Sequence, residues 1–365
     1  MTRVLIVGAG PAGIRAAATF VEAGIRPVVV DEGARAGGQI YRRPPEEFSR
    51  SAQLLYGSEA GKAIALHQLF DSLVAQDRVI YLPNRTVVGL SGGAANLVGP
   101  VIGETITYDQ LILATGAMDR VVPVPGWEAP GVYTLGAAQI ALKGQGIALG
   151  RNILLAGSGP LLTLVGAQLL KAGAQVAAVL DTAPLWSQIR GGLEMALARP
   201  RVTARGLGLR AQLGRRYHAG VTLKGIESDV RGPTAMHWVD GFGRTKVTKC
   251  DVVALGWHLR AETALADLAG AGFDWSETWG QWLPSCSDEG RAGPQLYLAG
   301  DGKSILGAEG AEVAGRIAAN ACLEDMGLYV DRVQLARDLK QLGKMRRFAE
   351  GIARAFPWPA HMIRR

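Results

Sequence analysis

Short runs of apolar residues, each ending near a glycine or an acidic residue, recur along the chain and predict strands buried in parallel sheets. The first run, residues 3–7, leads through a glycine turn into an alanine-rich segment that predicts a helix from Ala12 to Glu22. The second run, residues 27–30, ends on Asp31. Strand, helix and strand in this order predict a βαβ unit.

The same pattern returns in the middle of the chain. Residues 152–156 form an apolar run before a second glycine turn, a helical segment reaches Lys171, and a further run ends on Asp181. Two further runs, residues 106–116 and 251–256, resemble each other. Each predicts the strand that closes one of the two units. This internal repeat predicts an α/β fold with two Rossmann-like dinucleotide-binding domains, the second inserted in the first, and a short helical C-terminal tail.

The predicted boundaries follow from the Pro/Gly-rich crossing at residues 122–131 and from Gly256, where the chain returns. They give a discontinuous first domain (1–121 and 257–328), a second dinucleotide-binding domain (122–256) and a helical basic tail (329–365). Phe356 and Trp358 predict a docking role for the tail, because exposed apolar groups at a chain end are costly.

The remaining segments carry smaller elements. They predict a helix over residues 61–77, a hairpin turned at Gly92 and Gly93, and short strands between Arg201 and Asp251. Three tryptophans, from Trp275 to Trp282, predict packing against a neighbouring element in preference to a lid over a cofactor.

Composition and charge narrow the class of function. The net charge of +7 comes from scattered basic residues without an aromatic-interleaved stripe, which argues against nucleic-acid binding. Cys250, Cys286 and Cys322 lie far apart, with no CxxC or metal-ligand spacing, and predict packing thiols in a reducing compartment. The chain begins with its first strand, and no apolar run approaches the ~18 residues of a membrane span. A cytoplasmic protein that is not transmembrane is expected.

The first glycine turn carries a dinucleotide fingerprint. Gly8 permits the tight turn, Gly10 lets the backbone approach a pyrophosphate, and Gly13 lets the helix pack close to the strand. The phosphates then lie at the positive end of the helix. Asp31, placed about twenty residues later, is expected to bind ribose hydroxyls.

The second glycine turn is an imperfect copy. Gly157 and Gly159 match the first two glycines, but Leu162 takes the third position and prevents the same close helix packing. Asp181 occupies the ribose-binding position, and no pair of basic residues follows it to favour a 2′-phosphate. Three alternatives stay open for this turn: a working nicotinamide site, a bound nucleotide that does not react, and an empty site.

Two later segments complete one predicted site. The strand of residues 106–116 ends in Ala-Thr-Gly and places Thr115 and Gly116 beside the nucleotide, because a bulky residue would collide there. Near the end of the chain a strand runs into Gly300-Asp301, whose carboxylate can accept hydrogen bonds from sugar-like hydroxyls. The helix start at residues 308–310 presents amides to a cofactor ring. The occurrence of all these pieces in one chain is much more specific for a dinucleotide site than any single piece.

The loop after the second strand adds further candidates. Gly37 and Gly38 allow close backbone approach, and Gln39 can offer its amide to a ring or a phosphate. Arg42 and Arg43 are candidates for contact with phosphate, against the alternative of ordinary solvated arginines. A flexible connection is the competing interpretation of the whole loop.

These motifs resemble those of flavoproteins with two dinucleotide-binding domains, of the thioredoxin-reductase and ferredoxin-reductase kind. A more specific resemblance is to the FAD-binding A or α subunits of heteromeric bacterial dehydrogenases, a group that includes opine oxidases, hydrogen cyanide synthase, D-hydroxyproline dehydrogenase and proline dehydrogenases. The stretches that carry it are spread over nearly the whole chain: Gly37–Arg42, Pro125–Trp127, Pro130–Val132, Gly136–Gln139, Gly157–Leu162, Gly300–Gly302 and Phe356–Pro359.

The resemblance implies FAD in the first domain, with Asp31 at the adenosine ribose, Asp301 at the ribityl chain, and the flavin ring near Gly38, Gln39 and residues 308–310. The implied cofactor-binding residues are Gly8, Gly10, Pro11, Ala12, Gly13, Asp31, Glu32, Gly38, Gln39, Arg43, Val87, Thr115, Gly116, Gly300, Asp301, Ala308, Glu309 and Gly310. For a second nucleotide, NAD(P) or ATP, the candidates are Gly157, Gly159, Pro160, Leu161 and Asp181.

The resemblance also implies partner chains. In this group a β subunit of the D-amino-acid-oxidase kind oxidises the amine, and electrons pass through further flavin and iron–sulfur centres. Many members of the FAD-binding group continue beyond Phe-Pro-Trp-Pro into a cysteine-rich [2Fe–2S] module, whereas this sequence ends at Arg365 without those cysteines. Either a small separate [2Fe–2S] subunit supplies the cluster, or the complex lacks one at this point. FMN at a subunit interface and membrane association through the electron acceptor stay open.

No residue pattern marks substrate chemistry or a metal site in this chain. It has no CxxC, no Ser/His/Asp arrangement and no motif around its five histidines, so no catalytic residue is predicted. The leading hypothesis is an FAD that relays electrons from a partner that oxidises a secondary amine or amino acid, of the D-hydroxyproline, proline, opine or glycine type. Two alternatives stay open: a self-contained NAD(P)H-dependent flavin reductase of the ferredoxin-reductase type, and a structural assembly subunit with a non-reacting nucleotide.

Overall fold

The computed structural model describes residues 2–45, 47 and 50–362, apart from the side chain of His361. Its contacts divide the chain into two compact units. The first unit comprises residues 1–117, 261–277 and 281–345, and the second comprises residues 118–260, 278–280 and 346–365. Residues 329–365, the predicted tail, are divided between the two units after position 345.

Short strands and helices alternate along the chain. The strands are β1 (Val4–Val7), β2 (Val28–Val30), β3 (Ile80–Leu82), β4 (Thr86–Ser91), β5 (Ala94–Val98), β6 (Glu104–Thr107), β7 (Gln110–Leu113), β8 (Ala117–Asp119), β9 (Val132–Thr134), β10 (Asn152–Ser158), β11 (Gln175–Asp181), β12 (Tyr217–Ala219), β13 (Thr222–Asp229), β14 (Gly232–Val239), β15 (Thr245–Lys249), β16 (Val252–Trp257), β17 (Leu259–Ala261), β18 (Phe273–Ser276), β19 (Gln281–Pro284), β20 (Arg291–Gly293) and β21 (Leu296–Leu298). The helices are α1 (Pro11–Glu22), α2 (Ala52–Tyr56), α3 (Ala60–Ala75), α4 (Leu135–Ile140), α5 (Pro160–Lys171), α6 (Leu185–Ala198), α7 (Pro200–Leu213), α8 (Ala264–Leu268), α9 (Gly307–Asp325) and α10 (Arg332–Ala355).

The central sheet of the first unit has the strand order β20-β21-β7-β1-β2-β3. All four residues of β1 are buried, and this strand pairs in parallel with β2 on one side and β7 on the other. Only β20, at the edge, runs antiparallel to its neighbour. Because β1 lies inside the sheet, its glycine turn opens at the carboxyl edge, where ligands bind in sheets of this class.

The second unit repeats this architecture. Its sheet has the order β12-β11-β10-β16-β9, all pairs are parallel, and β10 takes the place of β1. Each unit also carries a three-stranded antiparallel sheet, β4-β5-β6 in the first and β13-β14-β15 in the second. The predicted α/β fold with two Rossmann-like domains, the second inserted in the first, is therefore confirmed.

The prediction of one continuous strand over residues 106–116 is wrong. The segment forms β6 and β7, which belong to different sheets. The chain changes sheets at Tyr108, whose N–H donates to the carbonyl of Gly93 at 2.8 Å, and at Asp109, whose carboxylate accepts from the N–H of Arg3 at 2.6 Å. These hydrogen bonds connect the break between β6 and β7 to residues of both sheets. The apolar character of the segment contains no information about such bonds, so it did not predict the break.

The outer two tryptophans also differ from the prediction. Trp275 and Trp282 face each other across the β18–β19 hairpin, with edge-to-face rings whose centroids are 5.8 Å apart. They remain 47% and 60% exposed. Residues directly opposite in a hairpin share one face, so these two side chains pack on each other rather than on a neighbouring element.

The aromatic residues of the C-terminal segment pack within the second unit. Phe356 and Trp358 are half-buried, and the guanidinium of Arg120 lies 3.4 Å from the centroid of the Trp358 ring. The Nε2 of His258 is 2.5 Å from the carbonyl oxygen of Phe356. The residues that predicted a docking tail are therefore bound by the chain itself.

Candidate functional site

The turn between β1 and α1 is closed so tightly that side chains are excluded from it. Gly8 has a φ of +104°, and a Cβ there would lie 2.3 Å from the carbonyl oxygen of Ala114. A Cβ on Gly13 would lie 1.8 Å from the carbonyl oxygen of Gly8, so the helix rests directly on the turn. Pro11 and Ala12 begin α1. The first N–H groups of a helix lack partners within it and are suited to phosphate oxygens.

Asp31, directly after β2, holds this turn in place. Its Oδ2 accepts a hydrogen bond from the N–H of Ala9 at 2.5 Å, and its Oδ1 accepts one from Gly33 at 2.7 Å. Burial raises the pKa of Asp31, while the two backbone N–H groups act in the opposite direction. The side chain is half-buried and Glu32 is exposed, so both lie at the rim of the turn.

The loop after β2 returns to the glycine turn. Gly38 has a φ of +63°, and a Cβ there would lie 2.8 Å from the Cα of Gly10. The two backbones therefore touch with no side chain between them. Gln39 is exposed, and its Oε1 accepts a hydrogen bond from Arg42 at 2.7 Å.

Two predicted cofactor contacts have their side chains engaged elsewhere. The guanidinium of Arg43 donates to both carboxylate oxygens of Asp71, at 2.8 and 3.0 Å. Val87 is 6% exposed, and its side chain packs in the core beside the antiparallel sheet of the first unit. Only the backbone of Val87 is therefore suited to a cofactor contact. The cofactor contacts of Arg43 and Val87 both remain predictions.

The residues after β7 meet the turn at Gly300–Gly302. The hydroxyl of Thr115 donates to the carbonyl of Glu262 at 2.8 Å, and the N–H of Glu262 donates to Gly116 at 3.0 Å. A Cβ on Gly302 would lie 2.7 Å from the Oγ1 of Thr115. A larger residue at this glycine would push the turn away from the end of β7.

Asp301 organises the loop that leads into α9. Its Oδ1 accepts hydrogen bonds from the N–H groups of Leu306 at 2.8 Å and Gly307 at 3.1 Å. Within the described residues its Oδ2 has no such bond and is available to a ligand hydroxyl. Burial raises the pKa of Asp301, and the two backbone N–H groups oppose that shift.

The start of α9 offers a cofactor its backbone groups rather than a free charged side chain. Ala308 is half-buried and Gly310 is buried, with space for no side chain, since a Cβ there would lie 2.5 Å from the Cβ of Leu306. The carboxylate of Glu309 lies 3.6 Å from the Nζ of Lys62 and accepts from Gln341 at 3.4 Å. Its charge is therefore balanced by residues of the same unit.

Close contacts bring the three predicted pieces together. A Cβ on Gly300 would lie 2.8 Å from the Cβ of Ala12, and a Cβ on Gly315 would lie 2.1 Å from the carbonyl oxygen of Ala12. The strand end and α9 therefore pack directly on the helix that follows the glycine turn. Gly315 was not predicted as part of this arrangement, although the small residues at every third or fourth position of α9 were the available signal.

The polar groups around these contacts fit FAD. The Oγ of Ser304 and the hydroxyl of Tyr81 are buried and have no hydrogen-bond partner among the described residues. Buried hydroxyls are normally paired, so both indicate a polar ligand. Ser304 lies just after Asp301, and the negative charge of Asp31 contributes to raising the pKa of Tyr81, after burial. The hydroxyl of Ser304 is therefore available to a ligand close to Asp301, as the ribityl chain of FAD requires.

The second glycine turn is closed as tightly as the first but differs from it in backbone conformation and in surroundings: Gly159 has a φ of +109°, whereas the matching Gly10 has a φ of −77°. A Cβ on Gly157 would lie 1.8 Å from the carbonyl oxygen of Gly256. A Cβ on Gly159 would lie 3.2 Å from the Nδ1 of His258, so an imidazole ring lies against this glycine. Pro160 and Leu161, at the start of α5, are exposed and half-buried.

Asp181 is sealed inside the second unit. It is completely buried, and its carboxylate accepts hydrogen bonds from the hydroxyl of Tyr217 at 2.5 Å and from the N–H of Ala183 at 2.9 Å. The tyrosine hydroxyl thus occupies one of the carboxylate oxygens that the sequence predicted to bind a ribose. Tyr217 was missed in the sequence, because nothing local connects it to an acid on another strand.

Replacing Asp181 with asparagine is expected to change the pH dependence of stability. Burial raises the pKa of Asp181 from 3.8 to about 6, so the folded chain binds this proton more tightly than the unfolded chain does. The wild type should therefore lose stability relative to Asp181→Asn as the pH rises from 4 to 6, by roughly 3 kcal/mol at ~1.4 kcal/mol per pKa unit, and no further above that. Urea unfolding at a series of pH values measures this difference.

The exposed Asp267 supplies the control for that measurement. Asp267→Asn makes the same chemical change at a solvent-exposed position and therefore shows how much of the effect comes from the substitution itself rather than from burial. A difference between wild type and Asp181→Asn that stays constant from pH 4 to 8 would contradict the burial of an ionisable carboxyl at this site.

Burial shifts the pKa of two thiols and two imidazoles among the described residues. Cys250 and Cys322 are buried, and burial raises the pKa of their thiols to about 11 and about 12. Burial likewise lowers the pKa of His67 and of His258 to about 4, so both imidazoles are neutral at pH 7. The absence of a catalytic residue from this chain stays a prediction.

Comparison with known proteins matches residues 2–264 to the pyridine nucleotide-disulphide oxidoreductase family. The A subunit of opine oxidase from Rhizobium meliloti is 38% identical over 96% of this chain and 68% of that protein. The HcnB subunit of hydrogen cyanide synthase from Pseudomonas protegens is 30% identical over 91% of this chain and 72% of that protein.

Solved structures show the same fold. L-proline dehydrogenase from P. horikoshii has a TM-score of 0.66 at 17% identity, over 93% of this chain and 59% of that chain. Thioredoxin reductase of T. acidophilum has a TM-score of 0.62 at 17% identity, over 89% of this chain and 99% of that chain. In the part of the chain described, no helix combines the length and apolar character needed to cross a bilayer.

Three independent features thus agree: the repeated Rossmann-like units, the glycine-lined site with its two acids, and the similarity over most of the chain. The missing CxxC distinguishes this chain from family members that exchange disulfides. The chain belongs to the pyridine nucleotide-disulphide oxidoreductase family and is an FAD-dependent oxidoreductase.

Proposed function

We propose that this chain is the FAD-binding electron-transfer subunit of a heteromeric dehydrogenase or oxidase. A partner of the D-amino-acid-oxidase kind oxidises a secondary amine or amino acid, of the D-hydroxyproline, proline, opine or glycine type. The names of the relatives support a multi-subunit assembly, since the opine oxidase and HcnB chains are each one subunit of an enzyme. A small [2Fe–2S] chain and an FMN at a subunit interface belong to the same proposal.

The sealed carboxylate of Asp181 is the observation that carries this proposal. A self-contained NADH-dependent reductase needs a second nucleotide site that delivers hydride, and the acid of that site binds the ribose of NADH. In this chain that acid is bound by Tyr217 and completely buried, and the ring of His258 lies against Gly159. Both observations support a flavin that receives its electrons from a partner rather than from a nicotinamide nucleotide.

The residues of the first unit have defined tasks in this role. Bound FAD supplies the electron-accepting and electron-donating chemistry. The glycine turn and the start of α1 bind its pyrophosphate, Asp31 binds the adenosine ribose, and Asp301 orients the ribityl chain. Asp301 also accepts hydrogen bonds from the N–H groups of Leu306 and Gly307. These bonds fix the start of α9, whose backbone would face the ring of a bound flavin.

Anaerobic stopped-flow mixing with NADH or NADPH tests the proposal. The FAD-loaded chain is expected to keep its flavin oxidised under these conditions for many seconds, far longer than one turnover of a typical enzyme at about 10 s⁻¹. Photoreduction of the same sample should reduce the flavin and shows that it is redox-active. Rapid bleaching by either nucleotide would establish the self-contained reductase instead.

The copurified complex separates the relay from a purely structural role. When the amine substrate is added, the flavin of this chain is expected to be reduced within one turnover of the complex. A flavin that stays oxidised while the partner turns over would identify this chain as an assembly subunit.

A further inference from the structure

Helix α6 presents a continuous apolar stripe to solvent. Its large apolar residues lie on one side of the helix at a spacing of about one turn: Leu185, Trp186, Ile189, Leu193 and Leu197 are 51%, 72%, 50%, 65% and 87% exposed. Isolated exposed apolar residues are normal on a protein surface, but a contiguous group of this size marks an interaction surface.

The opposite side of α6 is the one that packs on the protein. Gln188 and Gly191 are buried, and a Cβ on Gly191 would lie 2.3 Å from the N of Ala355 and 2.5 Å from the carbonyl oxygen of Gly351, both in α10. The helix is thus fixed by its small and polar residues. Its apolar residues are left outward, the reverse of the usual orientation of a surface helix.

The charge around the stripe is strongly one-sided. Residues 182–216 contain seven arginines, no lysine and one acidic residue, Glu194. Glu194 is paired with Arg354 at 2.5 Å and is therefore neutralised. Arg190 borders the stripe on α6, and Arg201 and Arg215 are exposed on the following segment. An apolar stripe with arginines beside it is complementary to a membrane surface, in which an anionic headgroup layer covers apolar acyl chains.

We propose that the α6 stripe, with the exposed Arg190 and Arg201, docks this chain peripherally on membranes that contain anionic phospholipids. The leucines, the isoleucine and Trp186 enter the boundary between headgroups and acyl chains, as in interfacial amphipathic helices. The guanidinium groups of Arg190 and Arg201 pair with lipid phosphates at the surface. This inference does not depend on the identity of the electron donor.

Flotation of the FAD-loaded full chain with phosphatidylcholine vesicles, with and without phosphatidylglycerol, tests this proposal. The wild type is expected to float with the anionic vesicles, to float much less with pure phosphatidylcholine, and to be released as salt is raised. Leu193→Glu should weaken binding at least about tenfold, since it removes one buried leucine and adds a charge of the wrong sign. The double variant Arg190→Glu/Arg201→Glu should weaken binding by a similar factor and abolish the preference for anionic lipid.

Matched variants elsewhere control for folding and for net charge. Ile102→Glu changes a 99% exposed isoleucine, and Lys340→Glu/Lys344→Glu reverses two exposed cations on α10. Both should bind vesicles nearly as the wild type does, and all variants should retain FAD. Absence of wild-type binding to anionic vesicles at low salt, or unchanged binding of Leu193→Glu, would overturn the proposal. So would a copurified complex that protects residues 185–197 from hydrogen exchange and does not bind vesicles, because the stripe would then be a subunit interface.

Discussion

Asp301→Ala is expected to lower the affinity of the chain for FAD by about 10- to 150-fold, because a hydrogen bond to a charged group contributes about 1.5–3 kcal/mol. The substitution removes the acceptor for a ligand hydroxyl. It also releases the N–H groups of Leu306 and Gly307, which the Asp301 carboxylate binds at 2.8 and 3.1 Å in the wild type. Asp301→Asn keeps one carbonyl oxygen for those N–H groups and should lose less affinity. Titration of the apoprotein with FAD measures all three constants.

Asp331 provides the control for this result. Its Oδ1 accepts from the N–H groups of Val333 at 2.9 Å and Gln334 at 3.0 Å, so it makes the same kind of backbone contact at the start of α10. Asp331→Ala should cost about 1 kcal/mol of stability and leave FAD affinity unchanged. If Asp301→Ala folded and bound FAD as tightly as the wild type, Asp301 would have no part in the site.

Gly38→Val is expected to reduce FAD affinity by at least about a hundredfold, equivalent to ~3 kcal/mol. Gly38 has a φ of +63°, where a β-branched residue is strained, and its Cβ would lie 2.8 Å from the Cα of Gly10. Relief of that contact must move the phosphate-binding turn itself, since the nearest atom, the Cα of Gly10, belongs to the backbone of that turn. FAD content after purification and the FAD titration give the loss directly.

Gly92→Val separates backbone strain from the contact with the turn. Gly92 has a φ of +55° in the β4–β5 hairpin, and a Cβ there would meet nothing within 4 Å. Both variants carry similar conformational strain, but only Gly38→Val places a side chain against Gly10. Equal FAD affinity in the two variants would show that the glycine contact does not shape the cofactor site.

The features that were predictable from the sequence are those encoded by neighbouring residues. The apolar run before Gly8, the helix of α1 and the acid at position 31 lie within one βαβ unit, so their spacing fixes both fold and geometry. The same holds for the second unit, where β10, α5 and β11 have nearly the predicted bounds. Local spacing is informative because each of these positions must satisfy a backbone requirement, such as the close approach at Gly13.

The strands predicted between Arg201 and Asp251 were wrong at the start of that segment, where Pro200–Leu213 forms helix α7. The other features that escaped prediction depend on residues brought together from distant parts of the chain. Tyr217 covers Asp181 from a strand 36 residues later, and His258 covers Gly159 from beyond β16. The break at Tyr108 depends on hydrogen bonds to Gly93 and Arg3 rather than on local composition. For the same reason the sequence left three alternatives open for the second glycine turn. The burial of Asp181 argues against the first of them, a working nicotinamide site.

We propose that one FAD extends through the first unit from Asp31 to Asp301 and that the second unit holds no nicotinamide nucleotide. A crystal structure of the chain grown with FAD and excess NADH tests both parts of this proposal. We expect continuous density for FAD along the glycine turn between the two acids, and no nicotinamide nucleotide at Gly159 and Asp181. Nicotinamide density at the second turn, or a colourless chain that takes up no FAD, would contradict it.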